Sequence, residues 1–170
     1  MKKLMPIFTV SLILLTLTTG CTQDISQENS SVFGIFLAST PCSQGTRPLP
    51  GIPVNADCIL IKWRLELSQD EFKKTPTTYK LHCLYGLPKQ GTTGFIGGGK
   101  TIDLEGRWTV IKGSPAKPQA TIYQLHDNKT SQTISFLKLS DDLIHLLDSD
   151  LRLMIGSAAW SYTLNRAGAK

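Results

Sequence analysis

Between residues 61 and 67 the chain alternates strictly. Ile61, Trp63, Leu65 and Leu67 fall on one side, with Ile59 in phase before them, and Lys62, Arg64 and Glu66 fall on the other. A period of two sends successive side chains to opposite faces, so this stretch predicts a strand with one buried and one wet face. VFGIFLAS, TTYKLHCLY, TIDLEGRWTVIKG, ATIYQLH, QTISFLKL, LIHLLD, LRLMIG and AWSYTLNR read as further strands. They are separated by turn-forming runs such as HDNK, SDD and DSD. Gly106 interrupts one of these patterns, which predicts a bulge or hairpin turn at Glu105 and Gly106. The glycine-dense GLPKQGTTGFIGGGK predicts a mobile loop, and the charged connector SQDEFKKTP predicts a turn or a short helix over 68–74. Strand signals about every ten residues predict an all-β chain, an antiparallel meander closing into a small barrel or sandwich. Closure would also remove the unpaired edges that invite aggregation.

The first twenty residues differ from everything after them. Lys2 and Lys3 precede an apolar run of about 14 residues, shorter than the roughly 20 a helix needs to span a bilayer core. A basic start, a short apolar middle and small residues before a cysteine predict a lipoprotein signal over 1–20, cut before Cys21. Lipid would then be attached to the Cys21 thiol. Thr18 stands three places before the cysteine, where leucine is usual, and plain secretion with Cys21 left as a thiol is the alternative. Two or more acyl chains hold a protein stably at a bilayer, whereas one holds it only marginally. Thr22 in place of aspartate after the cysteine resembles the pattern of lipoproteins sorted to the outer membrane. The polar run CTQDISQENSS over 21–31 reads as a flexible tether. A barrel domain over 32–166 and a tail over 167–170 complete the expected organisation.

Without its signal the chain has 150 residues, enough for one core, and its formal charge falls from +5 to +3 as Lys2 and Lys3 depart. That charge is small, and the aromatics are not interleaved with a basic stripe, so nucleic acid is not an expected partner. The remaining cysteines are Cys42, Cys58 and Cys83. Cys42 and Cys58 flank a turn-rich connection and form the disulfide candidate; two reduced loop thiols are the other reading. Cys83 alternates with Tyr79, Leu81 and Tyr85 and reads as a small buried hydrophobe.

A search for catalytic chemistry yields no candidate residue. His82, His126 and His145 are the three histidines, and none sits in a two-histidine metal motif. No GxSxG frame is present, and although GFIGGGKT over 94–101 has GxxxxGK[ST] spacing, strand signals lie on both sides of it where a phosphate loop runs from a strand into a helix, so the run from Gly97 to Lys100 reads as a flexible hairpin tip. The acidic pairs at 141–142 and 148–150 have turn spacing rather than the ordered oxygens of a calcium loop. Soft donors suited to Cu(I) are present, but His82 and Cys83 are neighbours on a strand and point to opposite faces. No metal site or cofactor is therefore expected. A barrel can instead hold a small hydrophobic ligand, and Trp63, Leu65 and Tyr79 are the candidates to line such a pocket.

Three stretches, taken in order, resemble the N-terminal domain of the copper-resistance lipoprotein NlpE family. VFGIFLASTPCSQGTRPLPGIPVNADCILIKWRLEL supplies a glycine-containing strand, a proline–cysteine loop and an amphipathic strand. LEGRW matches the family's glycine–aromatic strand, and LIHLLDSDLRLMIGSAAWSYTLNR a leucine-rich strand followed by a closing SYTL strand. The family's loop carries a close PCxxC pair, whereas here Cys42 and Cys58 are sixteen positions apart. The resemblance implies a lipocalin-like barrel on a non-enzymatic envelope lipoprotein. Its implied role is copper tolerance or envelope stress sensing through contact with an envelope protein. Carriage of a small hydrophobic ligand is the alternative function.

Overall fold

An amphipathic strand has backbone donors and acceptors along both edges, and each needs a partner. The chain provides those partners in sequence order. The computed structural model describes residues 29–42, 49–114 and 117–168. Eight strands run β1 Ser30–Pro41, β2 Leu60–Asp70, β3 Pro76–Gly86, β4 Lys100–Ser114, β5 Lys117–Asp127, β6 Thr133–Lys138, β7 Leu143–Leu146 and β8 Thr163–Arg166. Each pairs antiparallel with the next, and β8 returns to β1 through Phe36↔Arg166 and Leu37↔Asn165, closing the barrel. The expected all-β barrel is thus the architecture. The signal segment, Cys21 and positions 21–28 of the expected tether lie outside the described residues, and β1 begins at Ser30, inside the span read as tether.

Alternation decides which side chains fill the barrel. Ile61, Trp63, Leu65 and Leu67 of β2 face inward, as do Tyr79, Leu81, Cys83 and Tyr85 of β3, and all belong to one core. Arg64, Glu66, Lys80 and His82 stand outside. A second apolar cluster lies on the outer side of β5 and β6, where Ile122 and Leu137 pair and Leu147 and Leu151 of the β7–β8 connection cover them.

Several expectations give way to local chemistry. Gly106 is not a turn: β4 runs through it, in register with Tyr79 on one side and Asp127 on the other. A Cβ there would lie 2.0 Å from the His126 carbonyl oxygen, so glycine is what allows β5 to come this close. Residues 151–156 form no strand. The Asp148 carboxylate accepts hydrogen bonds from the amides of Asp150 and Arg152, at 2.9 and 2.8 Å, and bends the chain so that only Leu153 bridges back to Leu147. Nor is there a helix over 68–74. Asp70 Oδ1 accepts from the amides of Phe72 and Lys73, making a tight β2–β3 turn, and the Lys73 amide foremost holds the Asp70 carboxyl below its usual range. The glycine-rich connection is braced rather than loose. Phe95 is buried, bridges to Pro88, and lies under the Lys62 ammonium at 5.6 Å from its ring centroid.

The up-and-down order gives the barrel two unlike ends. The β1–β2, β3–β4, β5–β6 and β7–β8 connections gather at one, the loop end. The short β2–β3, β4–β5 and β6–β7 turns gather at the other, the hairpin end, together with Asn29 and Ala167.

Candidate functional site

The register of β2 against β3 sets Trp63 opposite Cys83, Leu65 opposite Leu81 and Leu67 opposite Tyr79. Trp63, Leu65 and Tyr79 therefore do share the barrel interior. They are 3%, 0% and 1% exposed and sit within the continuous core. Trp63 donates from Nε1 to Thr40 Oγ1 at 2.7 Å, and its ring meets Phe136 edge-on, centroids 6.3 Å apart. These contacts orient a large aromatic with its one polar atom satisfied.

Tyr79 is less completely served. Its ring lies above Gly106, and its hydroxyl is buried with no hydrogen-bond partner among the described residues, as is Asp127 Oδ1. The other Asp127 oxygen accepts from the amides of Lys129 and Thr130, at 3.1 and 2.8 Å. Burial pushes the Tyr79 phenol up to about 12, with the Asp127 and Glu105 charges adding to it. Burial also raises the Cys83 thiol strongly, with Asp103 contributing, so this cysteine stays protonated and unreactive at neutral pH.

Each end of the barrel is closed differently. At the loop end Cys42 and Cys58 are joined, with an S–S distance of 2.02 Å and Cα atoms 5.4 Å apart. The loop they close buries Leu49 and Ile52 against the core. Toward the hairpin end Arg166 packs over the rings of Phe33 and Phe36, 5.1 Å from each centroid. It donates from Nη1 to the Phe33 carbonyl at 2.7 Å and from Nε to the Asp141 carbonyl at 2.9 Å. Phe33 in turn packs against Trp108 and Tyr123, whose ring centroids lie 5.2 and 5.9 Å away.

The outer face of β2, β3 and β4 carries charge in register. Arg64, His82 and Asp103 form one cross-strand row; Glu66, Lys80 and Glu105 form the next. His82 Nδ1 lies 2.7 Å from Asp103 Oδ1, and Arg64 lies 3.5 Å from Glu66. With Lys129 these side chains border an open depression of about 420 Å³. Its alternating charges suit a polar or zwitterionic surface better than an apolar one.

The chain matches no protein-family model, no curated protein and no solved structure. What the site can do therefore follows from its own geometry.

The three histidines lie apart. His82 faces Asp103, His126 Nε2 lies 3.0 Å from Thr109 Oγ1, and His145 is held between Thr163 Oγ1 at 3.0 Å and the Met154 carbonyl at 2.9 Å. Among the described residues no three histidine, cysteine or acidic side chains gather into a metal-binding group. No helix among them is long and apolar enough to cross a membrane. The β2–β4 part of the wall has an apolar interior and a charged exterior, unlike the lipid-facing band of a transmembrane barrel.

Sequence reasoning located the interior residues but missed the hairpin-end clamp. Arg166 falls in a segment read only as a closing strand. Its role depends on Gly34, where a Cβ would lie 2.7 Å from Arg166 Nη1. The available signal was a glycine between two phenylalanine-bearing positions in β1. That signal lacks meaning until β8 is placed beside β1.

Proposed function

We propose that this protein is a lipid-anchored component of the bacterial cell envelope, of the outer membrane by its sorting residue. Its barrel acts through surface contact rather than turnover. The role it fits is that implied by its resemblance to the NlpE N-terminal domain: copper tolerance or envelope stress sensing through an envelope protein partner. One observation carries the emphasis on contact. The interior is occupied by Trp63, Leu65, Tyr79 and their neighbours, while the outside presents ordered charged rows. A molecule built this way has its recognition chemistry on the exterior.

Mass measurement of the mature N-terminus tests the anchor, and an unmodified Cys21 would overturn it. Deletion of the gene tests the role. Reduced growth at high copper, or an altered envelope-stress response, is expected, and unchanged behaviour in both would reject it. Carriage of a small hydrophobic ligand has one specific observation in its favour: the unpartnered Tyr79 hydroxyl and Asp127 Oδ1 would accommodate a ligand's polar head. Native mass spectrometry decides it, since a chain that never co-purifies with a hydrophobic molecule is no carrier.

A further inference from the structure

Phe72 is 76% exposed at the tip of the β2–β3 turn, the most exposed aromatic side chain among the described residues. A mobile loop would fold such a ring back against the domain, but this turn is fixed from beneath. Asp70 Oδ1 caps the amides of Phe72 and Lys73, the Lys74 amide donates to the Asp70 carbonyl, and Lys74 holds a left-handed backbone, φ 56°. Lys73 and Lys74 follow it in the same turn. The neighbouring β4–β5 hairpin brings Lys112 and Lys117 to the same end, and the β6–β7 turn brings half-exposed Leu139. The carboxylates there are partly engaged: Asp141 with Lys138 at 2.6 Å, Asp142 with Arg166 at 3.6 Å, and Asp70 in its turn. Glu71 remains against the lysines.

The chain also arrives at this end. The Glu71 amide donates to the Asn29 carbonyl at 2.8 Å, so the first described residue stands at the turn that carries Phe72. Eight peptide units separate Cys21 from Asn29, a reach of at most about 28 Å.

We propose that the hairpin end is a membrane seat: Phe72 enters the interfacial layer of an anionic bilayer while Lys73, Lys74 and the β4–β5 lysines contact its headgroups. This rests on the lipid-anchor reading, which fixes the bilayer on that side. An aromatic ring belongs at the interface between headgroups and acyl chains, and lysines near an anionic leaflet add attraction that salt screens. Two signals acting together also explain how a short tether yields one orientation: hairpin end down, loop end outward.

The test uses the full processed chain in vesicles of phosphatidylcholine and phosphatidylglycerol, with bromine on the acyl chains as a quencher. Phe72→Trp and Ile155→Trp place reporters at the two ends, Ile155 being 89% exposed in the β7–β8 connection. The fluorescence added at position 72 is expected to be quenched, and that at position 155 to survive. Added salt, or vesicles of phosphatidylcholine alone, should relieve the quenching at 72. Quenching at 155 alone, at both positions or at neither overturns the seat. Mass measurement of the same sample keeps the two readings separate. An acylated chain unquenched at 72 retains the anchor and loses the seat, whereas an unacylated chain quenched at 72 does the reverse. Self-association without lipid that Phe72→Ser abolishes would assign the ring to a second copy of the chain instead.

Discussion

Gly34 and Gly106 both exist to admit a neighbour, yet they differ in what stands in the way. A Cβ at position 106 meets a backbone carbonyl oxygen at 2.0 Å, part of the β4–β5 ladder, which can yield only by parting the strands. A Cβ at position 34 meets the end of a flexible guanidinium at 2.7 Å. Gly106→Ala is therefore expected to cost about 3 kcal/mol or more and Gly34→Ala about 1–2 kcal/mol, by the usual scale of overpacking. Urea denaturation of both variants checks the order, and equal costs would refute the backbone argument. Tyr79 makes a prediction of opposite sign. Its buried hydroxyl has no partner among the described residues, so Tyr79→Phe is expected to stabilise the barrel by about 1 kcal/mol at neutral pH. The same residue sets an alkaline limit. The phenol ionises near 10 in the unfolded chain and near 12 when folded, so its neutral form is the one folding favours. Its contribution is whole below pH 10 and is lost as pH rises toward 12, where the unfolded chain binds fewer protons. Stability of the native chain should fall more steeply than that of Tyr79→Phe across this window. Parallel pH profiles would show that the hydroxyl is solvated or partnered.

Strands with period-two alternation are legible because the signal is the structure: β2 has the inner and outer faces that residues 61–67 predict, although Ile59, in phase with them, lies before the strand and is exposed. Where local hydrogen bonding competes with hydrophobicity, the pattern misleads. Leucine and methionine in LRLMIG resemble a strand, but Asp148 captures two amides and Leu151 turns left-handed at φ 60°. Gly106 looked like a break because one strand's sequence does not contain its neighbour; the need for glycine arises in β5. Trp63, Leu65 and Tyr79 were likewise found by phase alone, whereas what they touch depends on β4 and β6. Residues 49–58 of the β1–β2 connection are held in place by covalent closure. The Cys42–Cys58 bond spans sixteen positions, a constraint worth about 3 kcal/mol on chain-entropy grounds. Replacing both cysteines with serine should remove roughly that amount and release Leu49 and Ile52 from the core. Hydrogen exchange is then expected to speed up across 49–58 while β3 and β4 keep their protection. A variant as stable as the native chain, with the loop still protected, would mean that apolar burial alone holds it.

At the scale of the molecule the shortest ladder is the one that closes the barrel. β1 and β2 pair along eleven registered positions, but β8 contributes four residues and meets β1 at two. So short a ladder is reinforced by one side chain, for Arg166 joins the Phe33 carbonyl of β1 to the Asp141 carbonyl of the β6–β7 turn and covers two rings besides. A planar guanidinium can bond in two directions while lying flat on aromatic faces; an ammonium is a point donor and cannot do both. Arg166→Ala is accordingly expected to cost about 2–4 kcal/mol, and Arg166→Lys to recover little of it. The loss should begin locally, with faster hydrogen exchange at β8 and the facing positions of β1 before the β2–β5 wall responds. Because the first and last strands must meet across most of the sequence, closure is also the step that loop entropy delays most. In stopped-flow refolding Arg166→Ala should raise the unfolding rate if the clamp forms after the transition state, and slow refolding if it forms before. Lysine restoring full stability would reduce Arg166 to a charge. Uniform exchange across all eight strands would mean that the seam is no weaker than the wall.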